Sequence, residues 1–357
     1  MEFNIKRKLT KEITIGQKKL GANNPILVQS MTKTKIENLS LLKNEILSLI
    51  NAGCEIIRIA VTDKNSVISI SSLIKEGIFK DVPVVADVQF DYELAILALD
   101  FGVDCVRINP GNIGGLEKTA QVIEKAKQKK ACIRIGVNSG SIDKKYLKNN
   151  QNDIKTAIVE STLEYVRFFE KMKFYNFKIS AKASSVMDSI YAYKILSDKI
   201  NYPLHLGITE AGSRFDGSIK SSVGLGVLLY EGIGDTLRVS LTDDSIYEVK
   251  AGFQILNSLN LRNYGVNIIS CPTCGRTKAD LKTIVNKIEE LTYDIKKPLK
   301  IAIMGCIVNG PGEAKEADIG IALGNKKAAI FVKGKVLKRV EIDDVFIEFQ
   351  KEIEKLL

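Results

Sequence analysis

Cys271, Cys274, Cys306 and Glu313 are the residues whose types and spacing most directly imply chemistry in this chain. They stand in ISCPTCGRT and IAIMGCIVNGPGEAKEADIG, which gives C-x2-C, 31 intervening residues, then C-x6-E. Two thiolates three positions apart can grip a metal centre from one turn, and a third from a distant segment can close the site. A [4Fe–4S] cluster ordinarily takes four thiolates, so here one iron is left to an oxygen ligand or to none. Such an iron is a reaction site, whereas a fully thiolate-bound cluster carries electrons. The spacing also suits zinc or a redox dithiol. Zinc needs a fourth good ligand, and residues 261–357 hold no histidine; a dithiol leaves Cys306 without a role. Pro272 and the glycines around Cys306 and Pro311 favour turns whose N–H groups could bond cluster sulfides.

A second group of chemistry-bearing residues lies where apolar residues are expected. Arg58, Arg107, Arg134, Lys178 and Arg238 each interrupt a β-branched run. Period-2 alternation puts Asn109 on the face of Arg107, Asn138 on that of Arg134, Ser240 on that of Arg238, and Ser180 and Lys182 on that of Lys178. An unpaired buried cation is costly, so each needs an anion. One reading is an internal network with Asp87, Glu210 or helix-borne acids. Taken together, however, the cations outnumber the strand-borne acids, which points to a multiply charged ligand such as a diphosphate. His205, the one histidine, opens its strand and is expected to be packed or hydrogen-bonded rather than catalytic. Gly224 and Gly226 in KSSVGLG are expected at a tight turn or helix start, where backbone N–H groups could meet a phosphate. Cys54, Cys105 and Cys132 are expected to be inert packing residues.

The elements that must position these residues repeat along the chain. Eight strand-like runs, 26–31, 56–61, 82–88, 105–110, 132–137, 177–183, 204–210 and 236–242, alternate with helical periodicity. Continuous apolar runs between helices read as parallel strands buried on both faces. Eight βα units over about 220 residues match a TIM (β/α)8 barrel, with the site at the C-terminal ends of the strands. An open doubly wound sheet is disfavoured because no glycine-rich nucleotide fingerprint is present. KEITIGQKKLGANN alternates like a hairpin that could cover the barrel bottom. Domains are expected at 1–260 (barrel) and 261–357 (small α+β domain). The second has strands VNIISC, LKIAIMGC, DIGIALG and AAIFVKGKVLKRV, and helices in TKADLKTIVNKIEELTYDI and IDDVFIEFQKEIEKLL.

Composition bounds the partners. The formal charge is +10, but lysines interleave with glutamates and no basic block occurs, which argues against nucleic acid and leaves an anionic small substrate. The N-terminus has no apolar run for a signal or membrane segment. Six cysteines over 357 residues do not make a disulfide framework, so a cytoplasmic location is expected.

CPTCGRT and MGCIVNGPGEAKEADIGIA resemble the 4-hydroxy-3-methylbut-2-en-1-yl diphosphate synthase family, in its bacterial two-domain type. The resemblance extends over QSMT (29–32), ADVQFDYELA (86–95), RINPGNIG (107–114), IRIGVNSGS (133–141), ISAKAS (179–184), LGITEAG (206–212) and GIGDTLRVSLT (232–242), and so over nearly the whole chain. It implies reductive ring opening and dehydroxylation of 2-C-methyl-D-erythritol 2,4-cyclodiphosphate in the non-mevalonate isoprenoid pathway, giving a linear allylic diphosphate. It further implies a [4Fe–4S] cluster on Cys271, Cys274 and Cys306, with Glu313 as an exchangeable fourth ligand. Arg58, Arg107, Arg134, Lys182, Arg238 and Ser240 are implied to clamp the diphosphate. Asp87, Asn138 and Glu210 are implied to position or protonate the departing oxygen functions, with Asn309 contributing from the cluster side. Reduced flavodoxin or ferredoxin is the implied donor, and a homodimer sharing its active site between subunits the implied assembly. One departure is Gln89, where the family usually has histidine; an amide can still donate a hydrogen bond.

Overall fold

In the computed structural model, residues 5–142, 144–274, 277, 280–306 and 315–357 are described, and they belong to two compact units, Met1–Arg262 and Asn263–Leu357. The first opens with an antiparallel hairpin, β1 (Ile13–Ile15) and β2 (Lys18–Leu20). Its turn passes through Gly16 at φ +54°, where a Cβ would meet the Asp104 carboxylate at 2.6 Å. Glycine is therefore required twice over.

Each of the eight apolar runs forms a strand. They are β3 (Leu27–Met31), β4 (Ile56–Val61), β5 (Val84–Val88), β6 (Cys105–Ile108), β7 (Cys132–Asn138), β8 (Phe177–Lys182), β9 (His205–Leu206) and β10 (Thr236–Leu237). Their pairing is parallel throughout, in the order β8-β7-β6-β5-β4-β3-β10-β9. A bridge between Ile179 and Leu204 joins the two ends and brings the sheet to near closure as a barrel. The last two strands are much shorter than their apolar runs, although Arg238 N–H still donates to the Leu206 carbonyl and Thr209 N–H to that of Ala183.

Helices follow the strands: α1 (Leu39–Asn51), α2 (Lys64–Lys75), α3 (Tyr92–Asp100), α4 (Gly115–Lys129), α5 (Lys144–Asn149), α6 (Ile154–Lys171), α7 (Val186–Lys199), α8 (Arg214–Tyr230) and α9 (Ser245–Ser258). Asp63, Asp91, Ser185 and Ser213 cap α2, α3, α7 and α8, their side chains accepting from backbone N–H groups in the first turn. These caps fix the loops at the C-terminal end of the barrel. At the other end, Ile13, Ile15 and Leu20 of the hairpin pack with Leu27, Ile56, Val85, Cys105 and Cys132 into one buried cluster. The hairpin thus covers the barrel floor, and Cys105 and Cys132 are packed within it.

The second unit holds a five-stranded sheet in the order β11 (Val266–Ser270), β12 (Leu299–Met304), β13 (Ile319–Leu323), β14 (Lys327–Val332), β15 (Lys335–Glu341). The first three strands are parallel and the last two antiparallel. The AAIFVKGKVLKRV run, read as one strand, is two: Lys333 and Gly334 take φ +47° and +76° and turn the chain back. Two consecutive positive-φ residues suit a tight hairpin. Helix α10 (Leu281–Leu291) and the C-terminal helix Val345–Glu354 cover one face of this sheet with Leu281, Ile288, Val345, Phe349 and Ile353. The other face carries Ala302, Met304, Ala317, Ala322 and Phe331. Among the described residues, no helix is long and apolar enough to cross a membrane.

Candidate active site

Above the aliphatic floor, the barrel interior is charged. Arg107 lies beside Asp87 on one side and Arg134 on the other, and Arg134 pairs in register with Lys178. Asp87 neutralises two of these cations, approaching Arg107 Nη1 at 3.2 Å and Arg58 Nε at 3.7 Å. Burial alone would raise the Asp87 carboxyl, but Arg58, Arg107 and Arg134 outweigh it and hold Asp87 below its usual range. It is a carboxylate at neutral pH. Gln89 Nε2 donates to its Oδ1 at 3.3 Å, so the amide standing in for histidine does make a hydrogen bond here.

Arg58 donates from Nε and Nη2 to the Met31 thioether at 3.0 and 2.9 Å. Arg238 makes a bidentate pair with Glu248 of α9, at 3.0 and 3.1 Å. Lys33 shares that carboxylate at 3.1 Å. Glu248 is fully buried, and it also accepts from Ser30 and from the Leu241 N–H. Sequence reading did not single out this acid, although a signal existed. The buried residues of α9 include Ser245, Glu248, Val249, Gly252, Phe253 and Leu256, so a glutamate sits on the apolar helical stripe.

Arg134, Lys178 and Lys182 are different. Among the described residues, Arg134 Nε and Nη1 and Lys178 Nζ are buried without a hydrogen-bond partner, as are Ser180 Oγ, His205 Nε2 and both amide atoms of Gln29. Burial first, then repulsion from Arg134, Arg58, Arg238 and Arg107, pushes Lys182 well below the usual lysine range. Burial likewise brings Arg134 down to about 10 and Lys178 to about 8. The interior therefore carries cations that the described residues do not neutralise.

Backbone without side chains makes room for them. At Gly136 a Cβ would overlap the Arg107 guanidinium, which donates to the Gly136 carbonyl at 3.4 Å. At Gly207 a Cβ would overlap Lys182 Nζ. Asn138 accepts from Arg107 Nη2 at 3.1 Å with its amide oxygen turned to the guanidinium. Ser240 is half-buried beyond Arg238, while Glu210 is exposed at the end of the β9 run, at φ +54°. His205 is fully buried, with Nδ1 2.8 Å from Thr236 Oγ1. Gly224 and Gly226 correct an expectation: both lie inside α8 rather than at a turn or helix start. Gly224 is there for packing, since a Cβ would come within 2.7 Å of Ile208 Cδ1.

In the second unit, parallel pairing of β11 with β12 sends the loops carrying Cys271–Cys274 and Cys306 out at the same edge. Cys271 N–H donates to the Ile303 carbonyl, and Cys271 Sγ accepts from the Gly305 N–H at 3.1 Å. Thr277 links the loop, donating its N–H to the Cys274 carbonyl and accepting from Cys274 N–H on its hydroxyl. Cys274 is exposed, and Cys271 and Cys306 are half-buried. Among the described residues, no three cysteine, histidine or acidic side chains come together as a metal-holding group, these three thiols included. Glu313 and Asn309 lie outside the described residues. The donor set fits an iron–sulfur group: soft sulfur ligands on two adjoining loops, one already accepting a backbone N–H, as sulfurs at such sites do.

A barrel concentrating cations in its interior, joined in sequence to a sheet domain presenting cysteines, defines a two-domain (β/α)8 enzyme for an anionic substrate. Models of the GcpE TIM-barrel domain and the GcpE protein C-terminal domain match residues 10–253 and 267–355. The chain is 53% identical to the 4-hydroxy-3-methylbut-2-en-1-yl diphosphate synthase (flavodoxin) of Caldanaerobacter subterraneus subsp. tengcongensis, covering 98% of each chain. It is 49% identical to the same-named protein of Maridesulfovibrio salexigens, over 99% of this chain and 98% of that one. A solved Plasmodium falciparum HPPK-DHPS structure, with pterin and p-hydroxybenzoate, is 12% identical at a TM-score of 0.50. It covers 79% of this chain and 51% of that one, and shares the fold alone. The chain belongs to the 4-hydroxy-3-methylbut-2-en-1-yl diphosphate synthase (flavodoxin) family.

Proposed function

We propose that this chain reduces 2-C-methyl-D-erythritol 2,4-cyclodiphosphate to 4-hydroxy-3-methylbut-2-en-1-yl diphosphate, with reduced flavodoxin as electron donor. The balance is two electrons and one proton in, one water out. The observation that carries the reading is the set Arg134, Lys178 and Lys182, cations in the barrel of a family member that form no ion pair with a described acid. A cyclic diphosphate supplies the missing charge.

Arg58, Arg107, Arg134, Lys182, Arg238 and Ser240 hold the diphosphate, and their roles differ. Arg58 and Arg107 are tied to Asp87, and Arg238 to Glu248, so these guanidiniums are oriented before a ligand arrives. Arg134 and Lys182 contribute uncompensated charge. Ionised Asp87 accepts a hydrogen bond from a substrate hydroxyl rather than donating a proton. Asn138, fixed on Arg107, presents its amide beside that pair. Glu210, exposed at the end of the β9 run, is placed to act on the departing oxygen functions. Asn309, outside the described residues, is proposed as a further substrate-binding residue.

Cys271, Cys274 and Cys306, with Glu313, hold a [4Fe–4S] cluster, which when bound supplies the electrons singly. The chain works as a homodimer. Apolar side chains exposed along α8 (Phe215, Ile219, Val223, Val227) and α7 (Met187, Tyr191) support self-association. An anaerobic preparation tests the cofactor: the expected result is brown protein with near-stoichiometric iron and sulfide. Colourless protein with stoichiometric zinc would overturn it.

A further inference from the structure

Lys178 takes no part in the clamp just described, yet its place in the barrel is unusual for a lysine. It is fully buried, its Nζ has no hydrogen-bond partner among the described residues, and it is the register partner of Arg134. Four residues further along the same strand and on the same face stands Lys182. Lys178 is thus level with Arg134 in the ladder, on the floor side of Lys182. Facing it are Cys105 of β6, Cys132 and Arg134 of β7, Arg58 of β4, His205 of β9 and Asp235 ahead of β10. Cys105 and Cys132 are thiols in an apolar cluster, Asp235 is tied to Arg7 and Thr10, and His205 is held neutral by burial and by the cations. No described group forms an ion pair with the amine.

We propose that Lys178 is a charge-regulating residue, losing its proton in the empty barrel and regaining it when a dianion settles on its neighbours Arg134 and Lys182. The inference rests on the cyclodiphosphate reading. Burial, opposed by Cys105 and Cys132 and reinforced by Arg134 and Arg58, brings the free amine to about 8, so the two charge states are close in energy near neutral pH. A dianion on those neighbouring cations favours the charged form, and binding then takes up a proton. The ligand's charge stays constant in this range: each phosphorus of a cyclic diphosphate diester carries a single, strongly acidic hydroxyl. Lys178 acts through Arg134 and the field, without touching substrate, and is a positioning residue.

Calorimetry on the reconstituted, unreduced protein tests this, titrating in 2-C-methyl-D-erythritol 2,4-cyclodiphosphate at pH 8.5 in two buffers of different ionisation enthalpy. Wild type should take up protons on binding, and its affinity should fall above pH 8 with a slope of up to about tenfold per pH unit for each proton linked. Lys182 contributes its own share, so the decisive number is the difference from Lys178→Met, or from Lys178→Gln if the first does not fold. The variant should bind with up to one proton fewer and a flatter pH profile. Proton uptake equal in wild type and variant, or absent from wild type, would overturn the proposal. A ligand-free control separates this from the substrate reading. Wild-type stability should rise from pH 8 to about 10, where the unfolded chain still holds the Lys178 proton and the folded one does not, and in Lys178→Met the rise should be shallower by up to the equivalent of one proton. If neither protein binds the cyclodiphosphate, the substrate reading fails and the proposal with it, whatever the stability slope.

Discussion

Asp87 and Glu248 decide how much of the interior charge is settled within the chain. Each buried carboxylate serves two cations, so removing one strands both. Asp87→Asn should cost about 3–5 kcal/mol in urea unfolding, the range for breaking a buried pair, and a change below about 1 kcal/mol would contradict the pairing. His205 gives the pH dependence. Burial first, then Arg134, Lys182, Lys178 and Arg58, depress its pKa well below the ordinary value. The folded state therefore binds fewer protons than the unfolded state below about pH 6.5, and stability falls as pH drops from there. The slope should reach about 1.4 kcal/mol per pH unit and vanish in His205→Asn, as followed by unfolding at pH 5–7. Much of this scale was legible. A cation inside a β-branched run is conspicuous, and alternation places it inward. Of the partners, Glu248 left a signal, ten residues after Arg238 on the buried stripe of α9, whereas Met31 is an unremarkable strand residue until Arg58 rests on it.

At the scale of elements, the eight parallel strands could be read because strands buried on both faces appear as unbroken apolar runs. Their ends could not. Runs 204–210 and 236–242 keep apolar character past the point where the ladder stops, since Ile208, Val239 and Leu241 are buried outside any strand. The Lys333–Gly334 turn was hidden for the opposite reason, being two short polar positions inside an apolar run. The glycines of α8 make a paired prediction. A Cβ at Gly226 meets nothing within 4 Å, so Gly226→Ala should stabilise by about 0.5–1 kcal/mol through helix propensity. Gly224→Ala should destabilise, because the new methyl meets Ile208 and Val186. Thermal melts of both variants shifting in the same direction would contradict the packing role.

For the whole molecule, the sequence assigns separate tasks to its two units: a barrel that binds anionic substrate and a sheet domain that carries thiols. The barrel could be recognised from repetition, and the thiol site from spacing alone, whereas the convergence of the Cys271 and Cys306 loops depends on the parallel register of β11 and β12. Cys306→Ser should lose the cluster, read as iron and sulfide per chain after anaerobic reconstitution; a full, stable cluster in that variant would remove Cys306 from the ligand set. Turnover tests the central claim most directly. Anaerobically reconstituted protein, supplied with reduced flavodoxin and 2-C-methyl-D-erythritol 2,4-cyclodiphosphate, should form one 4-hydroxy-3-methylbut-2-en-1-yl diphosphate for every two electrons consumed. Protein carrying its full complement of iron and sulfide that leaves the cyclodiphosphate unchanged would contradict it.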